Sequence, residues 1–256
     1  GVVYWSIGNE PDLYDGRPNV DYDTEIFNRE WRAMAEAMLA VDDEIVLLGP
    51  ELHGTYTSNF ATNPKDAAGR DWMTEFLLAN GDLVDVVTYH RYPFPVSQDG
   101  VNATIPDLRD DTLEWTATVR YLRALIHETT GRDLPIAVTE AGSHYNRAIG
   151  GEATPDSFYN AIWWGDVLGR LINEGVFMVN QWVFTATGSQ GSLGMIATSG
   201  VRPIYYVYQM YAHFGTQRVY AASGVGEVTI YAAVTEEGSL TLMVINLSDG
   251  EQRVPL

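Results

Sequence analysis

The sequence predicts an α/β protein, most of a (β/α)8 barrel followed by part of an all-β module, and three observations carry that reading. Short apolar runs alternate with longer amphipathic ones from Val2 to Phe214, which implies parallel strands joined by right-handed crossovers. Several of those runs stop at Gly or Pro with polar residues at the tip, the end of the strand where α/β folds hold their chemistry. After Gly215 the pattern changes to three short strands with no helix. A doubly wound open sheet is the competing arrangement. Gly142, Gly150 and Gly151 do not make a phosphate loop in strand–helix context, so no cofactor is expected.

The elements follow in order. Residues 2–7 form a buried strand stopped before Pro11, which cannot donate to a ladder. After a turn-rich loop at 15–19, residues 24–41 read as a helix capped by Asp23. Phe27, Trp31, Met34, Ala35 and Met38 lie on its apolar face. Residues 45–48 are a buried strand stopped by Gly49-Pro50. A polar loop with Glu51 and His53 leads to a helix at 71–80, which carries Trp72 and Phe76 and takes Gly81 as its C′ residue.

Residues 83–92 form the third strand. Residues 110–130 form the third helix, with Trp115, Val119, Leu122 and Ile126 in one stripe. Residues 135–139 deliver Glu140 at a strand end. Thr154-Pro155 opens the next helix in cap-then-Pro order, and Gly175 closes it. Residues 176–184 form the fifth strand, followed by a Gly-rich loop and an aromatic-rich helix from Arg202-Pro203. Strands at 218–222, 227–235 and 240–247 then alternate as a half-exposed antiparallel sheet does. The expected division is a barrel part at 1–215 and a partial β-sandwich at 216–256, too short to stand alone.

Composition narrows the function classes. At 256 residues and 46% hydrophobic, the chain can bury a large core. Its 34 acidic and 15 basic residues give a net charge of −19, which argues against nucleic acid or an anionic membrane surface as partner. Cysteine is absent, which removes disulfides, thiolate metal clusters and a cysteine nucleophile, and fits an exposed or secreted setting. No apolar run is long enough to span a bilayer. The chain enters its first strand directly from Gly1 without an initiator Met; the expectation is a preceding segment that could include a targeting signal.

Five strand ends carry polar residues: Asn9 and Glu10; Glu51 and His53; His90 and Tyr92; Glu140; Gln181 and Trp182. In a parallel barrel these ends share one rim. Strand alternation sets His90 and Tyr92 on one face with Thr88 and Val86 below. Two glutamates at such a rim are costly unless used, and paired carboxylates in different environments are what glycoside hydrolysis requires. By spacing alone, Glu10 and Glu140 are equally readable as strand-end glutamates in salt bridges. Likewise His90 reads as a satisfied core histidine and Trp182 as a core aromatic. His53 and His90 do not have metal-ligand spacing, and no metal is expected.

Five stretches resemble one family group. WSIGNEPDLY at 5–14 is similar to the Asn-Glu-Pro signature that closes strand four in the clan of retaining glycoside hydrolases on (β/α)8 TIM barrels. IAVTEAG at 136–142 resembles the clan's strand-seven nucleophile segment, and VVTYHRYP at 86–93 the His-x-Tyr-Pro closing strand six, above all in family 39. NQWVF at 180–184 resembles the strand-eight end with its sugar-stacking Trp, and residues 193–210 the loop and last helix before a β-sandwich. The Gly-Asn-Glu-Pro-Asp-Leu-Tyr version is also similar to family 79 glucuronidases.

The resemblance implies that Glu10 is the acid/base and Glu140 the nucleophile, acting on β-linked glycosides. It implies that Asn9 bonds the sugar 2-OH, that Tyr92 orients Glu140, that His90 lines the −1 subsite, and that Trp182 stacks on a sugar ring. It also implies that this chain holds strands four to eight, a partial TIM barrel without strands one to three. Such a remainder would expose apolar strand edges, to be completed by a missing N-terminal segment, a partner chain or a copy. The rival readings are a non-catalytic carbohydrate-binding barrel fragment, and a fragment inactive without its first strands.

Overall fold

The structure is a computed structural model, and it describes residues 1–14, 21–53, 56–94, 103–145, 149–187 and 193–253. The expected turn loop at 15–19 and most of the Gly-rich loop, at 188–192, lie outside the described residues. The chain groups into two compact units. The first comprises residues 1–92, 117–141 and 176–181; the second comprises 93–116, 142–175 and 182–256.

The first unit is built on a five-stranded sheet of β1 (Tyr4–Ser6), β2 (Val46–Leu52), β3 (Val86–Arg91), β4 (Ile136–Ala141) and β5 (Met178–Gln181), in that spatial order. Every neighbouring pair is parallel, as strand–helix alternation requires. With its crossover helices, this is the α/β half-barrel that the sequence predicts. Helix α1 (Thr24–Leu39) is capped by Asp23, which accepts from the Ile26 amide at 2.9 Å. Helix α2 (Trp72–Asn80) is capped by Asp71 on Thr74. Edge-on packing of Trp31 on Phe76, with ring centroids 5.0 Å apart, joins the two helices. Leu48, Val86 and Ala137 form a core layer across the middle strands, with Val46 and Met178 packed against it.

Four local expectations for the first unit need correction. The first strand is not buried: Val2, Val3, Tyr4 and Trp5 are all exposed. It is an outer strand paired only to β2, so no strand among the described residues pairs along its far side. Met34 is exposed for the same reason; with Met38, Val41, Val2 and Trp5 it lines a groove of about 770 Å³ along that edge. Gly49-Pro50 does not stop β2, which runs on to Leu52. The register against β3 shifts between Gly49 and Leu52, and at such an irregularity a proline costs no ladder bond. Gly81 is the C-cap in right-handed conformation. Its small size is what matters, because a Cβ there would lie 2.5 Å from the Thr130 methyl. Tyr4 of β1 and Phe177, the residue before β5, meet at 5.7 Å between ring centroids, so the sheet curves enough to bring its two outer strands together at that end.

Helix α3 (Ile105–Thr130) starts five residues before the periodicity suggests, since Pro106 is tolerated in a first turn. Trp115, Val119, Leu122 and Ile126 are buried on it as expected. In the second unit, α4 (Phe158–Asn173) begins after Ser157, which accepts from the Asn160 amide. Thr154-Pro155 does not open this helix: the Thr154 hydroxyl donates instead to Asp156 and accepts from the Gly151 amide, a local turn that competes with helix entry. A two-residue hairpin of β6 (Ile196–Ala197) and β7 (Gly200–Val201) precedes α5 (Pro203–Tyr211). The antiparallel sheet β8 (Gln217–Val219), β9 (Val228–Val234) and β10 (Leu240–Asn246) appears where the alternation predicts it. Its Tyr231 and Ile245 pack with Leu247 and Ile162 of α4. Among the described residues no helix is long and apolar enough to cross a membrane.

Candidate active site

The site lies at the carboxyl ends of β1 to β4, all within the first unit. Beyond β1 the chain turns through Gly8, at φ +92°, and reaches Glu10 in the left-handed region at φ 47°. Pro11 then opens a single 3-10 turn. Glu51, in β2, is also left-handed at φ 59°. A non-glycine residue there carries strain on the order of 1–3 kcal/mol and persists only where its surroundings over-determine it. They do so here: the Glu10 amide donates to the Glu51 carbonyl at 2.9 Å, and the Glu51 amide donates to Thr88 Oγ1 at 3.0 Å.

His90, 1% exposed, sits at the centre. Its Nδ1 is 2.9 Å from Glu10 Oε1 and 3.7 Å from Glu140 Oε2, and its Nε2 is 3.2 Å from Glu51 Oε2. Tyr92 donates from its hydroxyl to Glu140 Oε2 at 2.9 Å. Below them Thr88 and Val86 continue the same face of β3, the first toward Glu51 and the second into the core layer. Ser6 and Thr139 donate their hydroxyls to the two oxygens of Glu51. A regular strand would send Thr139 and Glu140 to opposite faces. Here Tyr89 pairs with Val138 and His90 with Glu140, so Thr139 is an extra residue, and that irregularity lets both neighbours reach the cluster.

Burial differs sharply among the three carboxylates. Glu10 and Glu140 keep 26% and 22% of their side chains open, whereas Glu51 keeps 4%. Burial pushes Glu140 up, and the charges of Glu10 and Glu51 add to this, against the opposing pull of His90 and the Tyr92 hydroxyl. Burial also works to raise Glu51, but hydrogen bonds from His90, Ser6 and Thr139 outweigh it and hold that carboxyl below its usual range. Burial and the nearby Glu140 raise Tyr92, which keeps its proton for donation. His53 is tied to Asp12 through both its amide and its ring; burial lowers it, but Asp12 and then Glu10 win and raise it.

Burial would lower His90 too, yet hydrogen bonds to Glu10 and Glu51 push it up to about 9. With a folded-state value above the ordinary 6.5, its contribution to stability is complete below about pH 6.5. That contribution is lost as pH rises through about 9. The urea midpoint is therefore expected to fall between about pH 7 and about pH 10, by a step that a His90→Gln variant lacks. Equal pH slopes in the two proteins would refute this.

The structure thus brings together Glu10, His90, Tyr92 and Glu140. Asn9 is exposed next to Glu10. Trp182 belongs to the second unit and is 43% exposed, not a core aromatic. Ser6, Asp12 and Thr139 have no signal in the sequence pattern; Glu51 has one, as a strand-end carboxylate. Among the described residues, Glu10, His90 and Glu140 are the set whose donor atoms, all within 4.8 Å of one another, could gather round a metal ion. Their fit to one is poor, because His90 Nδ1 would have to give up its hydrogen bond to Glu10.

No protein-family model and no curated protein sequence matches the chain. Solved structures do. CelM2, a bifunctional glucanase-xylanase from a metagenome library, superposes with a TM-score of 0.69 at 21% identity, over 96% of this chain and 53% of that one. A Paenibacillus polymyxa xyloglucanase from glycoside hydrolase family 44 gives 0.69 at 20%, over 96% and 54%. The GH39 enzyme from Xanthomonas axonopodis pv. citri gives 0.68 at 20%, over 98% and 47%. The fold is that of these glycoside hydrolases. The chain spans about half the length of each structure, and the glycoside hydrolase fold is matched over that half.

Proposed function

We propose that this chain carries the catalytic pair of a retaining glycoside hydrolase acting on β-linked glycosides, with Glu10 as acid/base and Glu140 as nucleophile. The observation that carries the reading is their separation. Carboxylate oxygens of the two approach within 4.8 Å, close to the roughly 5–5.5 Å of retaining pairs and short of the roughly 6.5–9.5 Å that leaves room for a water between them.

Glu140 attacks the anomeric carbon while Glu10 protonates the departing oxygen; Glu10 then takes a proton from the water that cleaves the ester. His90 and the Tyr92 hydroxyl favour the charged form of Glu140, which is the form that attacks. Asn9 bonds the sugar 2-OH, His90 lines the −1 subsite, and Trp182 offers an exposed ring for stacking. The named substrates of the structural neighbours, glucan, xylan and xyloglucan, support a plant-type polysaccharide or its fragments as substrate. The activity belongs to the protein that carries this chain, in an extracytoplasmic setting; a completing strand, from a longer chain or a partner, would pair along β1.

A 2-deoxy-2-fluoro β-glycoside with an activated leaving group tests this. It is expected to inactivate the protein with one glycosyl unit added on the peptide bearing Glu140, and to leave a Glu140→Gln variant unlabelled. Labelling at another carboxylate, or turnover that releases sugar of inverted configuration, would overturn the assignment.

A further inference from the structure

The retaining mechanism makes no use of Glu51, although this is the most deeply buried of the three carboxylates. We infer that Glu51 is a positioning residue that acts through His90, holding the ring doubly protonated with Nδ1–H aimed at Glu10.

The argument is one of donors and acceptors. An ionised carboxylate only accepts, and a neutral imidazole has one N–H and one lone pair. Both nitrogens of His90 face carboxylate oxygens, Nδ1 at 2.9 Å from Glu10 and Nε2 at 3.2 Å from Glu51. A neutral ring would set a lone pair against a carboxylate oxygen on one side of a residue only 1% exposed. The imidazolium satisfies both. Glu51 in turn is held ionised by two hydroxyl donors, Ser6 and Thr139.

Its backbone is fixed independently, through the Thr88 hydroxyl and the Glu10 amide. Removing the charge of the side chain therefore leaves the main-chain frame in place. The other titratable groups that face His90 are Glu10 beyond β1, Glu140 of β4 and, more remotely, the His53–Asp12 pair; Tyr92 faces Glu140. Two open carboxylates within 4.8 Å repel each other; the cation fixed by Glu51 favours the charge on Glu140, 3.7 Å away, while Glu10 accepts from Nδ1–H through Oε1 and leaves its other oxygen to carry the proton that it delivers.

The consequence for turnover rests on the glycosidase reading, whereas the state of the ring does not. In the wild-type protein, long-range proton–nitrogen correlation spectra are expected to show both His90 nitrogens protonated at neutral pH, with loss of a proton only toward about pH 9. In Glu51→Gln the amide can donate to Nε2, so the ring is expected to become neutral at a lower pH. Glu51→Asp, which keeps the charge, is expected to restore the doubly protonated signal.

If the protein hydrolyses glycosides, Glu51→Gln is expected to lower kcat about 10²-fold, as mis-set catalytic groups do, with KM little changed. The acidic limb of its rate profile is expected to move to higher pH. A neutral His90 tautomer in the wild type at neutral pH would overturn the inference, as would an unaltered ring in a folded Glu51→Gln. A wild type with the doubly protonated ring and no hydrolysis of any glycoside would overturn the proposed function and leave the role of Glu51 toward His90 standing.

Discussion

Glu140→Ala is expected to reduce hydrolysis of an aryl β-glycoside on the order of 10⁴-fold, the scale on which loss of a nucleophile acts. Added azide is expected to restore turnover and to give a glycosyl azide of inverted configuration, because a small anion can enter the space that the carboxylate vacates. Glu10→Ala is expected to behave differently. Its loss, about 10²–10⁴-fold, should be smallest for leaving groups that need no proton, and azide should then yield the retained anomer. The two variants are thus distinguished by product stereochemistry and not by rate alone. Interchanged anomers would reverse the roles of the two glutamates; full activity in both variants would remove them from the mechanism.

Asp166→Ala is expected to destabilise the second unit by about 3–5 kcal/mol, the usual consequence of removing one partner from a buried ion pair. Asp166, on α4, is completely buried. It accepts from Arg170 Nε at 2.7 Å, from the Thr229 hydroxyl at 2.6 Å and from the Tyr231 hydroxyl at 2.5 Å. Alanine leaves a guanidinium and a buried phenol without their acceptor. Tyr231→Phe removes a single hydrogen bond and should cost only about 0.5–1.5 kcal/mol. Urea denaturation of the pair checks the order; equal losses would mean that the charge on Asp166 contributes nothing beyond one hydrogen bond.

The elements legible in the sequence are those whose signal is local. Alternation of apolar runs gives the parallel sheet, Asp23 gives the start of α1, and the period-two pattern after Gly215 gives β9 and β10. Glu10, His90, Tyr92 and Glu140 are legible because strand ends in a parallel sheet share a rim, so sequence distance does not matter. What was not legible depends on neighbours. The apolar run at Val2–Ile7 reads as buried, but burial requires a second strand alongside it. Gly49-Pro50 reads as a stop, but β2 passes through it by shifting register. Because of that misplaced stop, Glu51 reads as a loop residue when it is in fact enclosed within the sheet. The reach of Thr139 depends on an extra residue in β4, which no pattern of side-chain types reveals.

The left-handed backbone of Glu10 and Glu51 has an evolutionary consequence. Glycine or asparagine would occupy either position with less strain, so a lineage no longer selected for the chemistry gains stability by drifting to them. Retention of glutamate at both positions separates copies still under selection for that chemistry from lapsed ones, without any assay.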